Sequence, residues 1–156
     1  MKSPHEIRYS DLGSHVGRLF GPTEPLTLSQ EMIATFAEIT GDRQWVHVDV
    51  ERATHELGGT IAHGYLLLSL IPRFTESLIV VTGVSHGLNY GLNRIRFPAA
   101  AAAGSAIAAT QMIIDAETKS GGTLLRSEVV IKAIGADRPT CIAETLVLLF
   151  PGDARL

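Results

Sequence analysis

A single cysteine, Cys141, is present in 156 residues. It excludes an intramolecular disulfide framework and, with no second thiol beside it, a cysteine zinc pattern. No two Lys or Arg residues are adjacent. With a net charge of −3 and a pI near 6.0, nothing here neutralises a phosphate backbone, so nucleic acid is not an expected partner. The longest nearly apolar stretch, 64–72, is far short of the roughly 20 residues that cross a bilayer, and the polar start Met1-Lys2-Ser3-Pro4-His5-Glu6 lacks the apolar core of an export signal. Neither membrane nor export is expected, and a reducing cytoplasm suits the lone thiol.

What is present is an ordinary globular composition, 46% hydrophobic and 19% charged, with length for one core and one domain over 1–156. Gly and Pro break residues 1–28 into short pieces, with a brief strand at 15–20. From Ser29 the pattern is helical. Met32, Ile33, Phe36 and Ile39 recur on one face, Ser29 is an N-cap and Gly41 a stop, which predicts a helix over 30–40. Residues 41–59 have no sustained period and read as a long, function-bearing loop with one helical turn around 50–56.

Residues 61–81 are the most apolar part of the chain and predict a buried helix bent at Pro72. After Gly83 the alternation is that of strands, at 85–97, 105–115, 127–134 and 141–150. The alanine run 99–103 is too short for a stable helix and reads as a connector, and Gly121-Gly122 reads as a hairpin turn. A helical front half followed by about four antiparallel strands makes an α+β layer in which the sheet covers the Leu-rich helix.

Two segments carry candidate chemistry. In Thr40-Gly41-Asp42-Arg43-Gln44-Trp45-Val46-His47-Val48-Asp49, a turn can bring the Asp42 carboxylate and the His47 imidazole onto one reacting atom. A capping Asp and a structural His account for that spacing equally well. In Ile61-Ala62-His63-Gly64-Tyr65, Gly64 presents an unobstructed N–H at a helix start, where a carbonyl oxygen is polarised, or else it only permits close packing. Asp49 is placed to orient His47 or to be solvated. His63 with His47 and Asp49 is a weak metal pattern, and His5, His15, His55 and His86 form none. Arg94 and Arg96 suit phosphate contacts or an exposed edge.

Together these segments resemble the MaoC-like dehydratases, (R)-specific enoyl-CoA hydratases of hot-dog fold, with the signature Gly-Asp-x-Asn-Pro-hydrophobic-His-x-Asp. Gly41, Asp42, His47 and Asp49 match it in place, Ala53 fits its closing small residue, and Ala62-His63-Gly64 matches the second family block. Gln44-Trp45 replaces the usual Asn-Pro and is similar to the NodN-like branch, as is the stretch from Asn89 to Pro98.

The resemblance implies a curved antiparallel sheet wrapped around a long central helix, and a homodimer paired through its sheets. It implies that Asp42 and His47 hold the catalytic water, that the Gly64 N–H is the oxyanion donor, and that Trp45, His63, Tyr65, Asn93, Arg94 and Arg96 line the substrate. The substrate implied is an acyl-CoA or acyl-carrier thioester, with no metal, and coenzyme A enters only as part of that substrate. The alternatives are a hot-dog acyl-CoA thioesterase, which would want an acidic residue between His63 and Arg73, where there is none, and a non-catalytic acyl-thioester-binding partner subunit.

Overall fold

The computed structural model describes residues 3–152, so the expected domain of 1–156 runs past the described residues at both ends. In chain order the elements are β1 (His5–Arg8), a 3-10 segment (Tyr9–His15), β2 (Leu19–Phe20) and β3 (Leu26–Thr27). Then come α1 (Gln30–Thr40), α2 (Trp45–Val48), α3 (Val50–Leu57), α4 (Gly64–Ser69) and α5 (Ile71–Leu78). β4 (Ile79–Thr82), β5 (Val84–Arg96), β6 (Ala106–Lys119), β7 (Gly122–Ala133) and β8 (Cys141–Pro151) complete the chain.

The main sheet has the order β2-β6-β7-β8-β5, with β3 also on β6, and all its pairings are antiparallel. Three register shifts interrupt the β5–β8 ladder and one the β6–β7 ladder, which bends and twists these long strands. Helices α4 and α5 lie on the inner face. Leu66, Leu67, Ile71 and Phe74 pack with Ile107, Val129, Ile131 and Ala143 in one apolar cluster, while Leu78 and Ile79 join Ile7, Ile113 and Leu125 in a second. The α+β hot-dog arrangement expected from the sequence is the one observed.

Local chemistry explains most boundaries. Ser29 Oγ accepts the Met32 N–H at 3.2 Å and Gly41 closes α1 at φ 76°, the cap and stop anticipated. The buried face of α1 is Ile33 and Ala37, however, and Ile39 is exposed. The central helix is two shorter ones. It breaks at Leu70, two residues before Pro72, and the proline sits in the first turn of α5, where a missing N–H leaves no hydrogen bond unmade.

Four expectations are corrected. The helix ends at Leu78, and 79–82 is a strand parallel to β1, because the run Ile-Val-Val-Thr packs better on a pleated surface than in a helix. The expected strand at 15–20 shrinks to Leu19–Phe20 after the 3-10 segment. The loop 41–59 holds an additional helical turn, α2. The tight turn is Ser120-Gly121, both at positive φ (49° and 80°), with Lys119 paired to Gly122, as a two-residue hairpin loop with mirror-image turn geometry requires. Position 122, in the strand, takes a glycine because a Cβ there would lie 2.4 Å from the Leu149 carbonyl oxygen.

Cys141 lies in the first cluster with no exposed surface, and burial pushes its thiol up to about 11. The native protein should therefore resist a disulfide reagent at neutral pH and release one equivalent of chromophore only as urea unfolds it. Rapid labelling without denaturant would show that the sheet opens at β8.

Candidate active site

The loop after α1 is anchored before it does any chemistry. Gln30, the first residue of α1, donates from Nε2 to the His47 carbonyl at 2.8 Å, and the Thr60 hydroxyl donates to Gln30 Oε1. The Ile61 N–H donates to the Val46 carbonyl at 3.0 Å. Residues 60–62 are themselves fixed by the alanine connector, since Ala62 N–H reaches the Ala101 carbonyl at 2.8 Å and Ala103 N–H the Thr60 carbonyl at 2.9 Å. The connector is thus a structural clamp.

Within this frame His47 Nδ1 lies 2.7 Å from the Ile61 carbonyl oxygen. A carbonyl only accepts, so Nδ1 carries the proton and the neutral ring keeps its lone pair on Nε2. His63 Nε2 lies 2.9 Å from the Asp42 carbonyl oxygen, so there Nε2–H donates and Nδ1 keeps the lone pair. That Nδ1 is buried and has no partner among the described residues. The two imidazoles stack with centroids 3.7 Å apart, and Phe36 packs on His63 at 5.1 Å. Asp42 is half-buried, its carboxylate accepting from Gln44 Nε2 at 3.2 Å. The carboxylate and the two histidines come within 4.8 Å of one another.

These three groups are spaced as metal ligands can be. A ring N–H held by a carbonyl leaves the other nitrogen free to ligate, but the two rings stack face to face, their planes 25° apart. Two imidazoles on one tetrahedral ion need lone pairs that converge, which face-to-face rings do not supply. The arrangement suits proton exchange at a bound water better.

Gly64 is the first residue of α4, and its N–H donates to nothing among the described residues. The packing reading also holds here: the Phe97 ring occupies the space of a Cβ, 2.8 Å from its ideal position. Tyr65 is 67% exposed and meets Phe97 edge-on at 6.1 Å. Trp45 is half-buried beneath the Arg52 guanidinium, 4.1 Å from the ring centroid.

Several expected site residues lie elsewhere. Asp49 does not orient His47: it caps α3 by accepting the Arg52 N–H at 3.0 Å, and the Ile61 carbonyl does the orienting. His63 is committed to the Asp42 carbonyl and lies inside the site wall. Asn93 donates to Glu144 at 2.7 Å, beside Arg126 and Asp115 on the outer face of the sheet. Ile95 packs inward, so Arg94 and Arg96 project from the other face by strand alternation, both exposed. Gln30, Thr60, Phe36 and Phe97 were not anticipated, since each acts through contacts across the fold and carries no local signal.

Comparisons with known proteins fit this geometry. The MaoC like domain family matches residues 11–130. A 3-hydroxyacyl-thioester dehydratase Z of Mycobacterium tuberculosis is 39% identical over 140 residues, covering 88% of this chain and 93% of the relative. Nodulation protein N of Rhizobium leguminosarum bv. viciae is 34% identical over 155 residues, covering 96% of each. Among solved structures, a MaoC-like dehydratase from Rhodospirillum rubrum superposes with a TM-score of 0.71 at 18% identity, covering 88% of this chain and 94% of that one.

Replacing His63 by Leu should remove the donor that satisfies the Asp42 carbonyl and the stack that steadies His47. A loss of about 1–3 kcal/mol in urea unfolding is expected, together with reduced activity. Unchanged stability would mean that His63 is not a structural post.

Proposed function

The chain belongs to the MaoC-like domain family, and from that premise we propose that it adds water across a trans-2-enoyl thioester to give an (R)-3-hydroxyacyl thioester, or runs the reverse dehydration. It is a hydro-lyase on this reading. The observation that carries it is the Asp42 carboxylate beside a His47 ring whose Nδ1–H is committed to the Ile61 carbonyl. The NodN-like Gln44-Trp45 variant touches that pair, Gln44 Nε2 donating to Asp42 Oδ1 at 3.2 Å. The 39% identical dehydratase supports the same chemistry.

With Nδ1–H occupied, neutral His47 offers Nε2 as an acceptor, and an ionised Asp42 is also an acceptor, so the two can hold one water by both its hydrogens. As the water oxygen bonds to C3, one of its protons passes to the pair and a proton is delivered to C2 on the same face. Negative charge developing on the thioester oxygen is met by the Gly64 N–H, at the end of α4 where the amides lack partners. Such a donor contributes roughly 3 kcal/mol to the transition state. Tyr65 follows Gly64 at the start of α4, while Arg94 and Arg96 remain available to the phosphates of coenzyme A only from the outer face or across an interface. No metal or separate cofactor enters the scheme, and a reducing compartment such as the cytoplasm suits the free Cys141.

The functional unit is a homodimer. β5 is a thirteen-residue edge strand that exposes Leu88, Tyr90 and Leu92. A long unpaired edge of this kind is a template for pairing with a second copy.

Asp42→Asn and His47→Gln should each lower hydration of crotonyl-CoA by about 10²-fold or more with the thermal transition little changed. Full activity in either would sink the assignment. Sedimentation should show a mass near twice 16.7 kDa, and Leu88→Asp with Leu92→Asp should shift it to the monomer. A monomeric wild type would remove the dimer from the account.

A further inference from the structure

Gln44 holds the N-cap position of α2, yet its side chain makes no capping bond. Asparagine is a favoured cap, and glutamine, one methylene longer, is not. The Gln44 amide reaches back across one residue instead: Nε2 donates to Asp42 Oδ1 at 3.2 Å. A carboxylate only accepts, so the amide must present its nitrogen there. Among the described residues this is the one hydrogen bond made to the Asp42 carboxylate.

The rest of Asp42 is held by other groups. Its carbonyl accepts from His63 Nε2 at 2.9 Å, and its N–H points to Thr40 Oγ1 at 3.4 Å. The freedom that remains is rotation about the bond to the carboxyl group, a torsion with broad, roughly two-fold preferences. A donor on Oδ1 removes that freedom and leaves Oδ2 unpaired among the described residues.

The donor is also of a suitable kind. A guanidinium bonds a carboxylate about twice as strongly as a neutral group and holds it in its charged form, which opposes the uptake of a proton. Arg43, between the two residues in sequence, is kept off by an ion pair with Glu38 on α1. The neutral amide orients the carboxylate and leaves it basic enough to exchange a proton, with the rings of His47 and His63 as its titratable neighbours.

Building on the hydratase reading, we propose that Gln44 is a positioning residue of this site: its amide fixes the plane of the Asp42 carboxylate, so that Oδ2, together with His47 Nε2, holds the catalytic water. The side chain at the N-cap position then serves the acid–base pair and not the helix it begins.

The test is Gln44→Met, which keeps the length of the side chain and removes the donor at an exposed position. The kcat for crotonyl-CoA should fall about tenfold while KM and the thermal transition stay near those of the wild type, since orientation for the reaction is lost and substrate binding is not. NMR titration of the Asp42 carboxyl carbon should give a higher midpoint in Gln44→Met than in the wild type, because a hydrogen bond to the charged form is gone. Wild-type kcat, a loss confined to KM, a lowered thermal transition or an unmoved midpoint would overturn the proposal. Should the wild type not hydrate crotonyl-CoA, the hydratase reading falls separately, and the midpoint alone decides whether Gln44 holds the carboxylate.

Discussion

One residue, Ile61, is held from both directions by the loop that bears Asp42 and His47. Its N–H goes to the Val46 carbonyl, and its carbonyl accepts from His47 Nδ1. The first bond sets the position of α2 against the entry to α4. The second selects the tautomer in which His47 keeps a lone pair on Nε2. The remaining features of the site serve this contact: the alanine connector grips 60–62 from behind, Gln30 and Thr60 tie α1 to α2, and His63 braces the Asp42 backbone. A backbone carbonyl is a more dependable orienting group than a surface carboxylate, because it is covalently placed and does not titrate.

The frame could be read in the amino-acid order where local rules and tertiary demands agree. α1, the break ahead of Pro72 and the four long strands are such places. Cap, stop and alternation are properties of neighbouring residues. Asp42, His47 and Gly64 are singled out for a different reason, since two short blocks resemble a known family together, while each alone is equally consistent with a cap, a buried histidine or a packing glycine.

What escaped was set by partners distant in sequence. Asp49 looks like an orienting carboxylate, but its own α3 needs a cap, and that bond three residues away outcompetes one to His47. Asn93 falls where the β5 register slips against β8, so no alternation count could place it beside Glu144. The strand at 79–82 depends on β1, seventy-four residues earlier, and Gln30 and Phe97 reveal their roles only once the loop and α4 are folded against them.

The central claim is that Asp42 and His47 deliver water to one face of an enoyl thioester. Stereochemical analysis of the product tests it most directly: crotonyl-CoA is incubated with the purified chain and the 3-hydroxybutyryl-CoA formed is resolved by chiral chromatography. The account predicts the (R) enantiomer alone, without release of free coenzyme A. An (S) or racemic product, or free coenzyme A in place of the hydroxyacyl thioester, would contradict it.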